Sequence, residues 1–252
     1  MPDIDTAIVL TGASRGLGAA LARGLARPGV LLVTIARRPD AALQDHAQAQ
    51  GCRLAQIAAD LSDPQAAAGA AAQMTTLLPQ GAARLRLINN AGALQPVGRV
   101  DALTDGRAIA ATLSLNVAAA ITLTAAFLQA AAGRPADCRV LNISSGAGRN
   151  TFPGWGVYCA SKAALDMYTR VAADEYAAGG ARFVSLAPGV IDTAMQADIR
   201  ASDPAHFPAL ERFQAMHREG KLASPEAVAA RLIDYLERDD FGATVVDDIR
   251  NY

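Results

Sequence analysis

Seven short apolar runs recur along this chain, each separated from the next by a longer stretch. The runs are Ile8–Leu10, Val30–Ile35, Leu54–Ala58, Leu85–Ile88, Val140–Ile143, Phe183–Leu186 and Thr244–Val246. Their hydrophobicity is continuous rather than alternating, the pattern of strands buried on both faces of a parallel sheet. Parallel neighbours need a crossover, and the alanine-rich stretches between the runs favour helix. The alternation predicts βαβ units in an α/β, doubly wound parallel sheet of about seven strands flanked by helices. No repeat, linker or low-complexity segment interrupts it, so residues 1–252 read as a single domain.

The rhythm breaks once. Between Pro188 and Leu222 no apolar run intervenes, and the segment carries Pro204, Pro208, Gly220 and mixed charge. One or two short helices on a flap fit this length. Ligands of open parallel sheets bind outside the carboxyl ends of the strands, so a flap after the sixth strand, about 189–222, is placed to act as a substrate lid. A peripheral helical ornament is the plainer alternative.

Composition excludes several classes of function. The formal net charge is −1 and the basic residues are scattered, without interleaved aromatics, so neither nucleic acid nor an acidic membrane surface is expected as a partner. Cys52, Cys138 and Cys159 fit no C-x-x-C spacing. The start, Met-Pro-Asp-Ile-Asp, lacks a basic export region, so reduced thiols in a cytoplasmic protein are expected. His46, His206 and His217 form no paired-ligand pattern, and no metal is expected. Ala108 to Gly133 carries no charged side chain and is long enough to cross a bilayer. Its alanines, with Ser114, Asn116, Thr122, Thr124 and Gln129, read instead as a helix buried between protein layers or against a second subunit.

Directly after the first run comes Thr11-Gly12-Ala13-Ser14-Arg15-Gly16-Leu17-Gly18, then a helix-favouring stretch. Glycines let backbone amides approach a ligand, and a helix N-terminus adds unpaired N–H groups and partial positive charge for a pyrophosphate. A Rossmann-type dinucleotide site is the expectation. The second run ends Ala36-Arg37-Arg38, with no acid to hold two ribose hydroxyls. Arg37 and Arg38, with Arg15, are instead suited to clasp a 2′-phosphate, which favours NADP(H) over NAD(H). Ordinary solvated charge is the alternative for the arginines, and Asp40 is read as a helix cap. Asp60-Leu61 ends the third run, where the carboxylate could accept from an adenine amino group or cap a helix. Asn89-Asn90-Ala91-Gly92 closes the fourth, with Gly92 permitting close approach.

Tyr158 and Lys162 stand four apart in Tyr-Cys-Ala-Ser-Lys, and on a helix they share a face. An ammonium beside a phenol can bring it toward neutral pH. A shift from ~10 to ~7 needs about 4 kcal/mol of preferential phenolate stabilisation. Ser145, upstream, offers a hydroxyl to hold a carbonyl oxygen. Leu94, Phe152, Trp155 and Met195 lie next to these motifs and could line an apolar substrate pocket, though each is as readily core. Asp192, Asp247 and Asp248 could meet a polar substrate or cap helices. Cys159 is expected to pack.

Together these motifs resemble the short-chain dehydrogenase/reductase family over nearly the whole chain: T-G-x-x-x-G-x-G at 11–18, Asp60-Leu61, N-N-A-G at 89–92, Asn116, Ser145, Tyr158-x-x-x-Lys162 and Pro188-Gly189-x-x-x-Thr193. The resemblance implies Ser145 rather than Ser144 as catalytic serine, Tyr158 as acid–base and Lys162 as its partner. It implies Asn116 as anchor of a water relay, and Pro188, Gly189, Val190, Ile191 and Thr193 as cover for the nicotinamide. The C-terminal third is similar to a narrower branch, the sepiapterin and benzil reductases, through Ala187 to Gln196, Glu219-Gly220-Lys221-Leu222 and Val246 to Tyr252. This implies NADPH-dependent reduction of a ketone or vicinal dicarbonyl, with an aromatic, benzil-like body or a pterin side chain. The ending departs from the family's V-D-G-G tail, so a homodimer through the long helices stands beside a homotetramer. A non-catalytic NADP(H)-binding sensor or interaction protein on the same fold is the alternative.

Overall fold

The computed structural model describes residues 4–134, 136–200, 207–208 and 210–252. Seven parallel strands form one sheet in the order β3-β2-β1-β4-β5-β6-β7. They are β1 Thr6–Thr11, β2 Val30–Ala36, β3 Arg53–Ala58, β4 Arg84–Asn89, β5 Asp137–Ile143, β6 Arg182–Ala187 and β7 Val246–Asp248. Every residue of β1 is buried, as are six of seven in β2 and β5. The direction of winding reverses between β1 and β4, which opens a crevice at the carboxyl rim of the sheet.

The last strand corrects the expected Thr244–Val246. It begins at Val246 and pairs Val246, Asp247 and Asp248 with Ser185, Leu186 and Ala187. Two consecutive aspartates hid it from a reading based on apolar continuity. Asp247 is nonetheless buried, its carboxylate accepting from the Asn251 amide at 2.9 Å and the Tyr252 hydroxyl at 2.5 Å.

Helices α1 Gly16–Leu25, α2 Ala41–Ala49 and α9 Pro225–Glu237 cover one face, where α1 packs on α9. The other face carries α3 Pro64–Leu77, α4 Gly106–Leu113, α5 Ala119–Ala131 and α6 Gly156–Glu175. Asp40, Asp63, Asp105 and Ser224 cap α2, α3, α4 and α9 through their side chains. The charge-free segment is α4 and α5 joined by a π-helical turn, Ser114–Ala118. Among the described residues, Gly106–Ala131 is the one helix long and apolar enough to cross a membrane, and 39% of its most apolar stretch is buried inside the chain. Leu123, Thr124 and Phe127 are fully enclosed, and α5 packs along α3.

At the opposite rim of the sheet an ion network ties three strands to α9. The Arg86 guanidinium is wholly buried inside β4 and meets Asp137 at 2.8 Å and Glu237 at 3.0 Å. Arg139 and Arg182 share the same aspartate at 2.9 Å and 2.8 Å. A buried guanidinium persists only where its donors are matched in this way. Between β6 and α9 come two short helices, α7 Ala194–Arg200 and α8 Leu210–Arg218. Pro204 and His206 of the expected flap lie outside the described residues.

Candidate active site

The segments leaving β1 to β6 and the end of β7 all open into one cavity of about 1130 Å³ at the carboxyl rim. Gly12, Ser14, Arg15, Gly16, Leu17, Gly18, Arg37, Asp60, Leu61, Asn90, Ala91 and Gly92 line one half. Ser145, Tyr158, Lys162, Pro188, Gly189, Val190, Ile191 and Thr193 line the other, with Leu94, Phe152, Trp155 and Met195. Arg38 does not border it. Arg15, Arg37 and Arg38 are all exposed, and of the three Arg15 and Arg37 border the cavity.

The glycine turn is held open by close packing. A Cβ at Gly18 would lie 2.0 Å from the Gly12 carbonyl oxygen, and one at Gly12, where φ is +72°, would lie 2.9 Å from the Ala91 Cα. Helix α1 starts at Gly16 without a side-chain cap on its N-terminal amides. Those amides face a cavity that no side chain fills, the physical form of an anion cradle. Asn90 and Ala91 brace it, their backbone amides both donating to the Thr11 hydroxyl at 2.9 Å. Asn89 ties β4 to β5 through Asn142 at 2.8 Å. The Asp60 carboxylate accepts from the Ser62 hydroxyl and amide, which hold it below its ordinary range, while Asp63 rather than Asp60 caps the next helix.

At the other end, β5 delivers Ser144 and Ser145 and α6 delivers Tyr158 and Lys162. The two serines divide their duties. The Ser144 hydroxyl is buried and donates to Asp166 at 2.5 Å, whereas the Ser145 hydroxyl accepts from the Ala147 amide at 3.1 Å and stands beside the Tyr158 phenol. Burial pushes that phenol above its ordinary value, and the Ser145 contact pulls it back. Lys162, the expected partner, is buried on the same helix. Its Nζ donates to the Ile143 carbonyl oxygen at 2.8 Å and lies 5.7 Å from the centre of the phenol ring. Burial also pushes the ammonium down to about 8, with Asp166 opposing. Burial therefore favours the protonated form of the phenol.

Asn116 sits in the π-helical turn, buried behind the cavity wall rather than on it. Its Oδ1 accepts from the Ala93 amide at 2.8 Å, and its Nδ2 donates to the Ala93 carbonyl at 2.8 Å and to the Ser161 hydroxyl at 3.0 Å. A π turn shifts side-chain direction by one position, which aims the amide at that peptide. These contacts tie the π turn to the loop that includes Gly92.

An aromatic cluster closes the substrate end. Trp155 stacks on Phe207 at 5.0 Å and on Phe152 at 5.1 Å, and meets the edge of Tyr158 at 5.7 Å. Phe213 of α8 packs beside it at 5.2 Å. Residues of α7 and α8 that sequence reasoning did not single out also line the cavity, among them Gln196, Ile199, Arg212, Phe213 and Met216. Gln196 ends the Ala187–Gln196 stretch that carries the narrower resemblance; no motif marks the others, and only their place in the flap hinted at the site. Of the three acids read as substrate contacts, Asp248 borders the cavity, bound to Arg250 at 2.6 Å. Asp247 is committed to Asn251 and Tyr252, and Asp192 lies 3.6 Å from Arg200 outside the lining, so neither faces the site. The Cys159 thiol points to the Asn150 carbonyl at 3.9 Å, away from the cavity. Among the described residues no cluster of three His, Cys, Asp or Glu side chains is placed to hold a metal.

A family model described as short chain dehydrogenase matches residues 6–204. The chain is similar to a benzil reductase ((S)-benzoin forming) of Bacillus cereus, 34% identical over 93% of this chain and 95% of that one. It is also similar to the sepiapterin reductase of Bos taurus, 38% identical over 94% of this chain and 91% of that one. Among solved structures, a short chain dehydrogenase from Burkholderia cenocepacia in complex with NADP superposes with a TM-score of 0.73. It is 28% identical, with 95% of this chain and 94% of that chain covered.

Proposed function

The chain belongs to the short-chain dehydrogenase/reductase family and is an oxidoreductase acting on C=O and CH–OH groups; from this we propose that it is an NADPH-dependent carbonyl reductase for ketones or vicinal dicarbonyls with an apolar, aromatic body. The observation that carries this reading is the continuity of one cavity, from the capless turn at Gly16 past Arg15 and Arg37 to the Ser145–Tyr158 pair. The cradle fits a dinucleotide. Gly12, Gly16 and Gly18 would hold its pyrophosphate, Arg15 and Arg37 a 2′-phosphate, Asp60 its adenine, and Lys162 the ribose hydroxyls beside the reacting ring. When bound, the reduced nicotinamide supplies the hydride.

The chain's own residues do the rest. Ser145 donates a hydrogen bond where negative charge develops on the carbonyl oxygen, and Tyr158, kept protonated by burial, gives that oxygen its proton. Pro188 to Thr193 cover the nicotinamide end, and α7 and α8 act as a lid that keeps water from the aromatic pocket. Benzil- and pterin-like substrates are supported by the relatives' activities and by the pocket's Phe152, Trp155 and Phe213.

The protein works as a homodimer or homotetramer in the cytoplasm. Leu113 and Ile121 on α4 and α5, with Met167 and Val171 on α6, expose apolar side chains on neighbouring helices. The buried free thiols of Cys52 and Cys138 suit a reducing compartment. The test is NADPH consumption measured over a panel of diketones, quinones, pterins and simple ketones. Turnover of a dicarbonyl supports the reading. Tight NADPH binding with no turnover of any member would overturn it.

A further inference from the structure

Asp166 is enclosed on α6, and its two oxygens are bound differently. Oδ1 takes two hydroxyls, Ser144 of β5 at 2.5 Å and Ser185 of β6 at 2.6 Å. Oδ2 accepts no hydrogen bond among the described residues, and the cation beside it is Arg149, whose Nε lies 3.7 Å away. At that distance the contact is one of charge rather than a hydrogen bond. The arginine side chain is 30% exposed and the carboxylate only 4%. Among the described residues Asp166 thus makes its close ion contact with an arginine toward the surface, and not with Lys162 one turn earlier on its own helix.

The turn that leads to Arg149 is pressed against α6. A Cβ at Gly148 would lie 2.8 Å from the Asp166 Oδ2 and 2.9 Å from the Lys162 carbonyl carbon. Ser145 opens that turn, so the arginine is tied to the same short segment as the hydroxyl beside Tyr158. The other groups facing Lys162 are the Tyr158 ring on its own helix, the Ile143 carbonyl of β5 and the uncharged Gly92 and Asn116. Charges on the cavity wall come from Arg212 of α8 and from Asp248 and Arg250, which pair at 2.6 Å. Arg250 first, and Arg149 to a smaller degree, hold the Asp248 carboxylate below its ordinary range. A positive, a negative and a positive side chain thus run from the surface to the site: Arg149, Asp166, Lys162.

We propose that Arg149 is a positioning residue: it draws the second oxygen of Asp166 toward the surface and so limits how strongly that carboxylate supports the Lys162 ammonium. The inference rests on the reductase reading above, which places Lys162 in the reacting site. Removing Arg149 frees the oxygen to turn toward Lys162 and takes a positive charge from its surroundings. Both changes favour the ammonium. Arg149 and Asp166 therefore act on Lys162 in opposite directions.

The test needs no turnover. Lys162 and the exposed Lys221 are the two lysines of the chain, so the full-length protein carrying lysine labelled with carbon-13 at Cε gives two titration curves by NMR, one of them an internal reference. Lys162 is expected to titrate near 8 in the parent. Its midpoint should rise by about 0.5–1 pH unit in Arg149→Gln and fall in Asp166→Asn, with Lys221 unmoved. Arg149→Lys, which keeps the charge and adds a third signal, should leave it within about 0.3 unit of the parent. With Asp166→Asn already in place, Arg149→Gln should shift Lys162 less than half as far, because no carboxylate remains to be released. A midpoint that holds or falls in Arg149→Gln, an equal rise in Arg149→Lys, or an undiminished shift in the double variant would each overturn the assignment. A purely structural arginine would lower the melting temperature of Arg149→Gln without raising the midpoint. If the lysine responds as expected but no carbonyl compound consumes NADPH, the reductase reading falls and Arg149 keeps its role. If turnover is present and Lys162 does not respond, this inference falls alone.

Discussion

Lys162 and Asp166 stand one helical turn apart on the inner side of α6, each at most 5% exposed, and the carboxylate favours the charged form of the ammonium that burial disfavours. Asp166 is itself held by the Ser144 hydroxyl at 2.5 Å and the Ser185 hydroxyl at 2.6 Å, so β5 and β6 fix the charge that stands behind the site. The ammonium is left titrating at about 8, within the working range of an enzyme.

A pH profile follows from that pair. Above pH about 8 the lysine loses its proton, while the Tyr158 phenol, raised by burial, keeps its own. The expected kcat/KM profile falls on a basic limb near pH 8. Asp166→Asn removes the charge that favours the ammonium, so the limb moves to lower pH. An unmoved limb in the variant would separate Asp166 from Lys162.

Tyr158→Phe removes the proton donor and keeps the ring that packs against Trp155. Turnover is expected to fall by about a hundred- to ten-thousandfold with NADPH affinity retained, measured by steady-state kinetics and equilibrium binding. Near-parental turnover would refute the role given to this phenol.

Arg37→Ala tests the 2′-phosphate clasp. Losing one charge-assisted contact should weaken NADPH binding by about ten- to a hundredfold and leave NADH nearly unchanged. The ratio of the two dissociation constants is the quantity to follow. Arg38→Ala, outside the cavity, should alter neither.

Gly18→Ala places a methyl group 2.0 Å from the Gly12 carbonyl, a backbone atom that cannot swing aside. A loss of about 1–3 kcal/mol in stability is expected, read as a lowered midpoint in urea unfolding, together with loss of cofactor binding.

The exposed apolar strip on α5 and α6 predicts association. Val171 is 47% exposed and Met167 55% exposed, and replacing both with aspartate should shift the protein to monomers in sedimentation velocity. Unchanged assembly would direct attention to another surface.

The first six strands were legible because residues such as Ile8, Val33, Leu87 and Val184 are enclosed on both sheet faces, so their sequence needs no polar alternation. The same logic misplaced β7, whose aspartates find hydrogen-bond partners only after the chain has turned back through Tyr252. Arg86, in the middle of β4, could not be read as buried, because its carboxylate partners come from Asp137 and from Glu237, far along the chain. That Tyr158, Lys162 and Ser145 meet in one cavity was legible, because their spacings repeat a family pattern. Spacing reveals that an ammonium is near but not how much water the fold strips from both groups. Ile199, Phe213 and Met216 had no signal beyond their place in the flap, since only the packing of α7 and α8 brings them to the cavity.

The guanidinium network around Asp137 lies at the rim of the sheet opposite the cavity, joining β4, β5 and β6 to α9 without borrowing any residue from the catalytic end. Substitutions at the two rims are therefore far enough apart for their energetic effects to add independently. Loops at the reactive rim can be rewritten for new compounds while the far rim keeps the strands in register. That separation makes the scaffold a suitable starting point for redirecting selectivity by loop exchange.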